Sequence, residues 1–241
     1  MKSARYLCLW LALLGLHNAY GEESTLVYEG IAYPLKPQGS QQTDTLLYRE
    51  QHVLTSTAEG APLHRHVRYV DNDGQLIAEK HNRYGSNAST PEFTLVDQRS
   101  GYREQARLDG QQWWIGSGTD TKWQEKPLNQ HDHALVIDAG FDEFVRLHWQ
   151  RLLQGQSVNF SFAVPARQDV VNFRIRRTEP NDEVLILEMR LRSRLIAWLL
   201  DPIELHYDLE SQRLLRYRGL TNIQDNQGQG IYADIHYHYA D

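Results

Sequence analysis

The chain predicts a mainly β fold: a curved antiparallel sheet of half-barrel type, with one amphipathic helix packed on its concave side. Three observations carry this. Apolar and polar residues alternate with period two through most of the chain. One stretch alone, Phe141–Gln154, has helical period. The links between alternating runs are short and rich in turn residues, so neighbours in sequence should be neighbours in the sheet.

Residues 1–21 read as an export signal. Lys2 and Arg5 make a basic start, and Tyr6–Leu16 forms an apolar core too short to span a bilayer. Ala19-Tyr20-Gly21 supplies the small residues of a cleavage site, which places the mature start at Glu22. The rest, residues 22–241, reads as a single β-rich domain. Cys8 lies inside the leader and is the only cysteine, so disulfides, thiolate metal sites and a cysteine nucleophile are excluded from the mature chain. Losing Lys2 and Arg5 leaves 23 basic against 31 acidic residues, a formal charge of −8. That balance argues against nucleic acid as a partner. No later stretch approaches the apolar length of a membrane helix, so the chain is not expected to be an integral membrane protein of that kind. The expected location is the periplasm.

The elements follow in order. Lys36–Asp44 is polar and reads as a loop. Leu63, Val67 and Tyr69 alternate with His64, His66 and Arg68; Asp71-Asn72-Asp73-Gly74 then turns the chain into a return arm, Gln75–His81. Phe93–Val96 and Tyr102–Leu108 flank a turn at Arg99-Ser100-Gly101, and Asp109-Gly110 leads into Gln111–Ile115. Phe141, Phe144, Val145, His148, Trp149 and Leu152 fall on one helical stripe, with Asp142 and Glu143 in the first turn, where the helix dipole favours acids, and Gly155 as a stop. Val171, Phe173 and Ile175 alternate with Asn172, Arg174 and Arg176, and Leu185 to Leu191 continues the pattern. In the last run Ile231, Ala233 and Ile235 should be buried, and Tyr232, Asp234, His236 and His238 exposed. About ten strands are expected.

Leu195–Leu200 breaks the alternation with an apolar run closed by Asp201-Pro202. It reads either as a plug at the end of the core or as a lid over an apolar cavity with Trp198 at its tip. The candidate ligand contacts are Trp198, Leu199, Phe144 and Trp149, with Arg190 and Arg192 as anion-binding alternatives. The plainer reading of the arginine face is a ladder of cross-strand ion pairs. Three His-x-His pairs occur: His64/His66, His131/His133 and His236/His238. The last shares its face with Asp234 and is the best of the metal candidates, but solvated strand histidines explain all three, and no metal or other cofactor is expected. No G-x-S-x-G or comparable nucleophile signature is present, and no catalytic residue is assigned.

Three segments, "YVDNDGQLIAEKHNRYG", "GFDEFVRLHWQRLLQGQSVNFSFAVPARQD" and "LDPIELHYDLESQRLLRYRGLTNI", resemble a widespread group of secreted proteobacterial proteins that carries no assigned activity. At fold level that group is similar to the periplasmic lipoprotein carriers LolA and LolB. The resemblance implies a half-barrel that holds acyl chains under helices and transfers no site residue. Three functions therefore stand: a non-catalytic periplasmic protein binding an apolar or lipid-like ligand or an envelope partner; a periplasmic hydrolase with a site on the polar sheet face; and an outer-membrane β-barrel.

Overall fold

Turn chemistry sets where each strand ends. In the Asp71–Gly74 turn, Asp71 Oδ1 accepts hydrogen bonds from the amides of Asp73 (3.0 Å) and Gln75 (2.8 Å), and Gly74 takes φ +79°. Asp225 repeats the device near the C-terminus, accepting from Gln227 (2.8 Å) and Gln229 (2.9 Å) before Gly228 at φ +78°. The computed structural model describes residues 23–35, 45–128, 133–192 and 201–240. Leu195–Leu200, with Trp198 and Leu199, lies outside the described residues, as do the leader, His131 and the whole Lys36–Asp44 segment.

The first half of the chain lays down β1 (Ser24–Pro34), β2 (Tyr48–Ser56), β3 (Pro62–Val70), β4 (Leu76–Arg83), β5 (Glu92–Asp97), β6 (Arg103–Asp109), β7 (Gln112–Gly118) and β8 (Gln124–Pro127). Then come β9 (Leu135–Val136), α1 (Gly140–Leu147) and α2 (Trp149–Leu153). The second half adds β10 (Val158–Val164), β11 (Asp169–Arg177), β12 (Val184–Leu191), β13 (Ile203–Asp208), β14 (Leu214–Gln224) and β15 (Gly230–Tyr239). The fifteen strands of the described residues form one sheet, in the order β8 to β1, then β15 down to β9. Each half is a meander, and the two meet where β1 pairs with β15, Ala32 opposite Ile235. The sheet is curved and open, with β8 and β9 at its two edges. The edges approach each other: a 3-10 turn at Pro165–Arg167 lies against β6 and β7, and Gln168 Nε2 donates to Gln124 Oε1 at 3.3 Å.

The fold class is therefore the expected one, with three differences. There are more strands than the alternation revealed. The β9–β10 pair is parallel, because the helical segment connects them as a crossover. The helical stripe is also two helices: at His148 the backbone leaves helical geometry (φ −104°, ψ 13°), and its amide is shared between the carbonyls of Phe144 and Val145.

The concave side holds two apolar clusters. One gathers Tyr48, Val67, Phe93, Leu95, Ile115 and Ile235 under Ile137. The other packs Phe144, Val145, Trp149 and Leu152 of the helices onto Phe160, Phe173, Leu187 and Leu205. No helix among the described residues is long and apolar enough to cross a membrane.

Candidate functional site

Between the apolar clusters runs a seam of buried polar groups that holds the helices in place. The chain leaving β9 enters the interior through Asp138, which adopts a left-handed backbone (φ 41°). Its carboxylate accepts from Lys80 Nζ (3.2 Å), Asn82 Nδ2 (2.8 Å) and Asn222 Nδ2 (2.8 Å). Burial pushes the Asp138 carboxyl up, but the Lys80 charge and these hydrogen bonds outweigh it and hold it below the ordinary range. One turn on, Asp142 accepts from Arg65 Nη1 (2.8 Å) and the Tyr207 hydroxyl (2.9 Å). There too burial is outweighed, first by Arg65 and then by Arg146. Glu50 bonds His52 Nε2 (2.9 Å) and accepts from the Tyr237 hydroxyl (3.2 Å), and His52 stacks on Tyr28 at 4.3 Å. Burial lowers the His52 imidazole below its usual value, which favours the neutral ring. Every carboxylate in this seam is held by a cation or donor from another element, an arrangement suited to fixing α1 against the sheet.

The second cluster is less enclosed at one end of β10–β12. Phe162 and Val171 are register partners, and Phe173 is opposite Leu191 on the next strand. Phe162, Val171, Leu191 and Phe141 are only half-buried while packing on the fully enclosed second cluster. Phe141 meets Phe160 at 5.5 Å, and Phe162 meets Phe173 edge-on at 6.4 Å. These four side chains form an apolar fringe at the strand ends from which the chain leaves β12.

The residues singled out in the sequence do not converge. Phe144 (1% exposed) and Trp149 (4% exposed) lie in the core, against Phe160 and Tyr207. Arg190 and Arg192 lie on the opposite, outer face of the sheet. Arg190 bonds Glu188 at 2.7 Å, as Arg176 does at 3.2 Å, and Arg192 meets His133. Glu204, His206 and Arg218 extend the ion-paired ladder. Asp234 was expected to be exposed and is 4% exposed instead, because Arg216 clamps it through two hydrogen bonds of 2.6 and 2.7 Å. His236 is 3.2 Å away, and His238 is exposed. Burial would raise the Asp234 carboxyl, but Arg216 and His236 hold it far below the ordinary range. With its oxygens held by Arg216, Asp234 does not join the histidines as a ligand set.

Among the described residues, the imidazole and carboxylate donors that converge are His66, Glu79 and His81, on the outer wall. His66 and His81 are register partners on β3 and β4, and their rings stack at 4.2 Å. They line a groove of about 450 Å³ that also includes His64, Arg83, Glu92 and Arg107. In the sequence His66 stands out only as half of His64/His66. The partner that matters, His81, is set by the register of the β3–β4 hairpin.

No family model matches the chain, and no curated protein matches it. Among solved structures it is similar to a β-barrel-like protein of a domain of unknown function, DUF1849, from Brucella abortus. Identity is 11% and the TM-score 0.45, over 90% of this chain and 98% of that one. A likeness to the lipoprotein carriers LolA and LolB is not shown by it.

Proposed function

We propose that the protein is a non-catalytic binding protein of the periplasm that takes an apolar, lipid-like chain at the fringe formed by Phe141, Phe162, Val171 and Leu191. The single observation that carries this reading is the fringe itself. Half-buried apolar side chains on adjacent strands continue an enclosed aromatic cluster to the surface, and a binding site for an apolar ligand is concave and lined this way. Residues 1–21 support export. The ion-paired outer ladder of Arg176, Glu188, Arg190, Glu204 and Arg218 favours aqueous surroundings, since a wall facing lipid carries an apolar band. In the seam, Asp138 and Asp142 are held by Lys80 and Arg65, which leaves them little freedom for hydrolytic chemistry.

Lipids extracted from protein purified out of the periplasm, together with titration by a fluorescent fatty acid, test this. The wild type should bind the probe, and Phe162→Asp should weaken binding by about tenfold or more, since a charge is costly in an apolar site. Arg174→Asp, on the outer face, should leave binding unchanged. No probe binding by the wild type, or equal binding by Phe162→Asp, would sink the proposal. A co-purified peptide in place of lipid would transfer the fringe to an envelope partner.

A further inference from the structure

We infer that His66, His81 and Glu79 form a divalent transition-metal site of the zinc class on the outer wall, independent of the apolar fringe. The donor set is two imidazoles and one carboxylate, which suits zinc, copper(II) or nickel rather than calcium or magnesium. Three protein ligands with a fourth position open is the arrangement of a zinc centre that keeps a water. The ligating atoms already lie within 4.8 Å of one another. His66 Nε2 and Glu79 Oε1 are 3.4 Å apart, close to the edge of about 3.3 Å that zinc–ligand bonds of ~2.05 Å give in a tetrahedron.

Two further features point the same way. His66 Nε2 is shut off from water and makes no hydrogen bond, its polar neighbour being the Glu79 carboxylate 3.4 Å away, so a metal shared with Glu79 would satisfy it. His66 and His81 stand directly opposite each other across the β3–β4 pair, so both imidazoles are presented to one point on the outer face. The scaffold is firm, because β3 and β4 are flanked by β2 and β5 in the continuous sheet. The rings are parallel to within 7°, so binding tilts them until their lone pairs converge. Arg68 Nε stands 3.9 Å from Glu79 on a half-exposed side chain and can move aside. Both histidines line the groove, so the open position reaches solvent there.

The exported protein, freed of metal by chelator and dialysis, is titrated calorimetrically with zinc chloride. Saturable one-to-one binding is expected. It should be abolished in His66→Ala/His81→Ala, weakened about tenfold in Glu79→Gln, and unchanged in His236→Ala/His238→Ala. Cobalt(II) gives a second readout: ligand-field absorbance should appear with the wild type and not with the His66/His81 variant. Circular dichroism and thermal melting check that the variants fold, as expected for substitutions on the outer face. Binding well below one equivalent, unchanged binding in the His66/His81 variant, or binding lost in the His236/His238 variant would each overturn the assignment.

Discussion

Arg65 of β3 and Asp142 of α1 form a 2.8 Å ion pair with side chains only 6% and 13% exposed. The pair crosses the interior, joining the first meander to the helices that cover the second. Removing one partner strands a buried charge, which costs about 3–5 kcal/mol, more than the pair itself contributes. Arg65→Met should therefore lower unfolding stability in urea by about that amount. Arg65→Met/Asp142→Leu should recover part of the loss. A loss in the double variant equal to the sum of the Arg65→Met and Asp142→Leu losses would show that the two charges are not coupled.

Glu104 gives the fold an unusual pH dependence. Burial is the main cause that pushes its carboxyl up from 4.5 to about 7; a hydrogen bond from the Tyr102 hydroxyl (3.1 Å) pulls the other way, and Asp138 adds to the rise. A raised folded-state value means the contribution is full below 4.5 and is lost as pH rises through about 7. The loss is on the order of 3 kcal/mol. Asp138 and Asp142 act oppositely: their lowered values contribute stability above pH 3.8 that disappears as pH falls further. These groups together favour a mildly acidic optimum. Urea melts at stepped pH should find stability declining between pH 4.5 and 7, and Glu104→Gln should flatten that decline. A wild type with constant stability over this range would refute the assignment.

Phe144 separates packing from ligand binding. It is enclosed by Phe160 and His148 at centroid distances of 5.0 and 4.5 Å. Phe144→Ala should cost about 3–5 kcal/mol of stability. Below its lowered melting point the variant should still bind the fluorescent fatty acid. Unchanged stability with lost binding would move Phe144 into the ligand site.

Gly140 opens α1 where the chain passes close against the Ser89 backbone. A Cβ there would sit 2.2 Å from the Ser89 carbonyl oxygen. Ser89 is fixed in turn by accepting the Ile137 amide at 3.0 Å. Alanine is the better helix former, yet Gly140→Ala should destabilise by about 1–3 kcal/mol or more through overlap. A thermal melt matching the wild type would show that the turn can yield.

The strands legible in the sequence were those whose inner face is apolar, such as Leu185, Leu187 and Met189 of β12. β4 shows why other alternation was weak. Its inner positions are Ala78, Lys80 and Asn82, so no apolar contrast distinguishes its two faces. In β1 the inner Gly30 leaves room for the Tyr237 ring and adds no hydrophobic signal. The seam was invisible for a further reason. Lys80 and Asp138 are 58 residues apart and Arg65 and Asp142 are 77 apart, and nothing local marks such pairs. The helical stripe was legible because α1 and α2 bury one face, but the break at His148 leaves that stripe intact and so left no trace.

The pairing of β1 with β15 joins strands separated by about 200 residues, and loop closure over such a span must be met before its contacts stabilise anything. Each meander forms from hairpins that close locally, so the two arms should be structured before the seam between them zips. While the chain is still being made the first arm would wait, with one side of β1 unpaired, for the end of the chain to arrive. That interval is when a holding chaperone, or a second copy offering its own strand, would compete for the edge. Tyr28→Ala removes ring contacts to Tyr237 and Tyr239 across the closing β1–β15 pair as well as one to His52 within the first arm, so it should mainly speed unfolding, while Gly74→Ala in the β3–β4 turn should slow refolding.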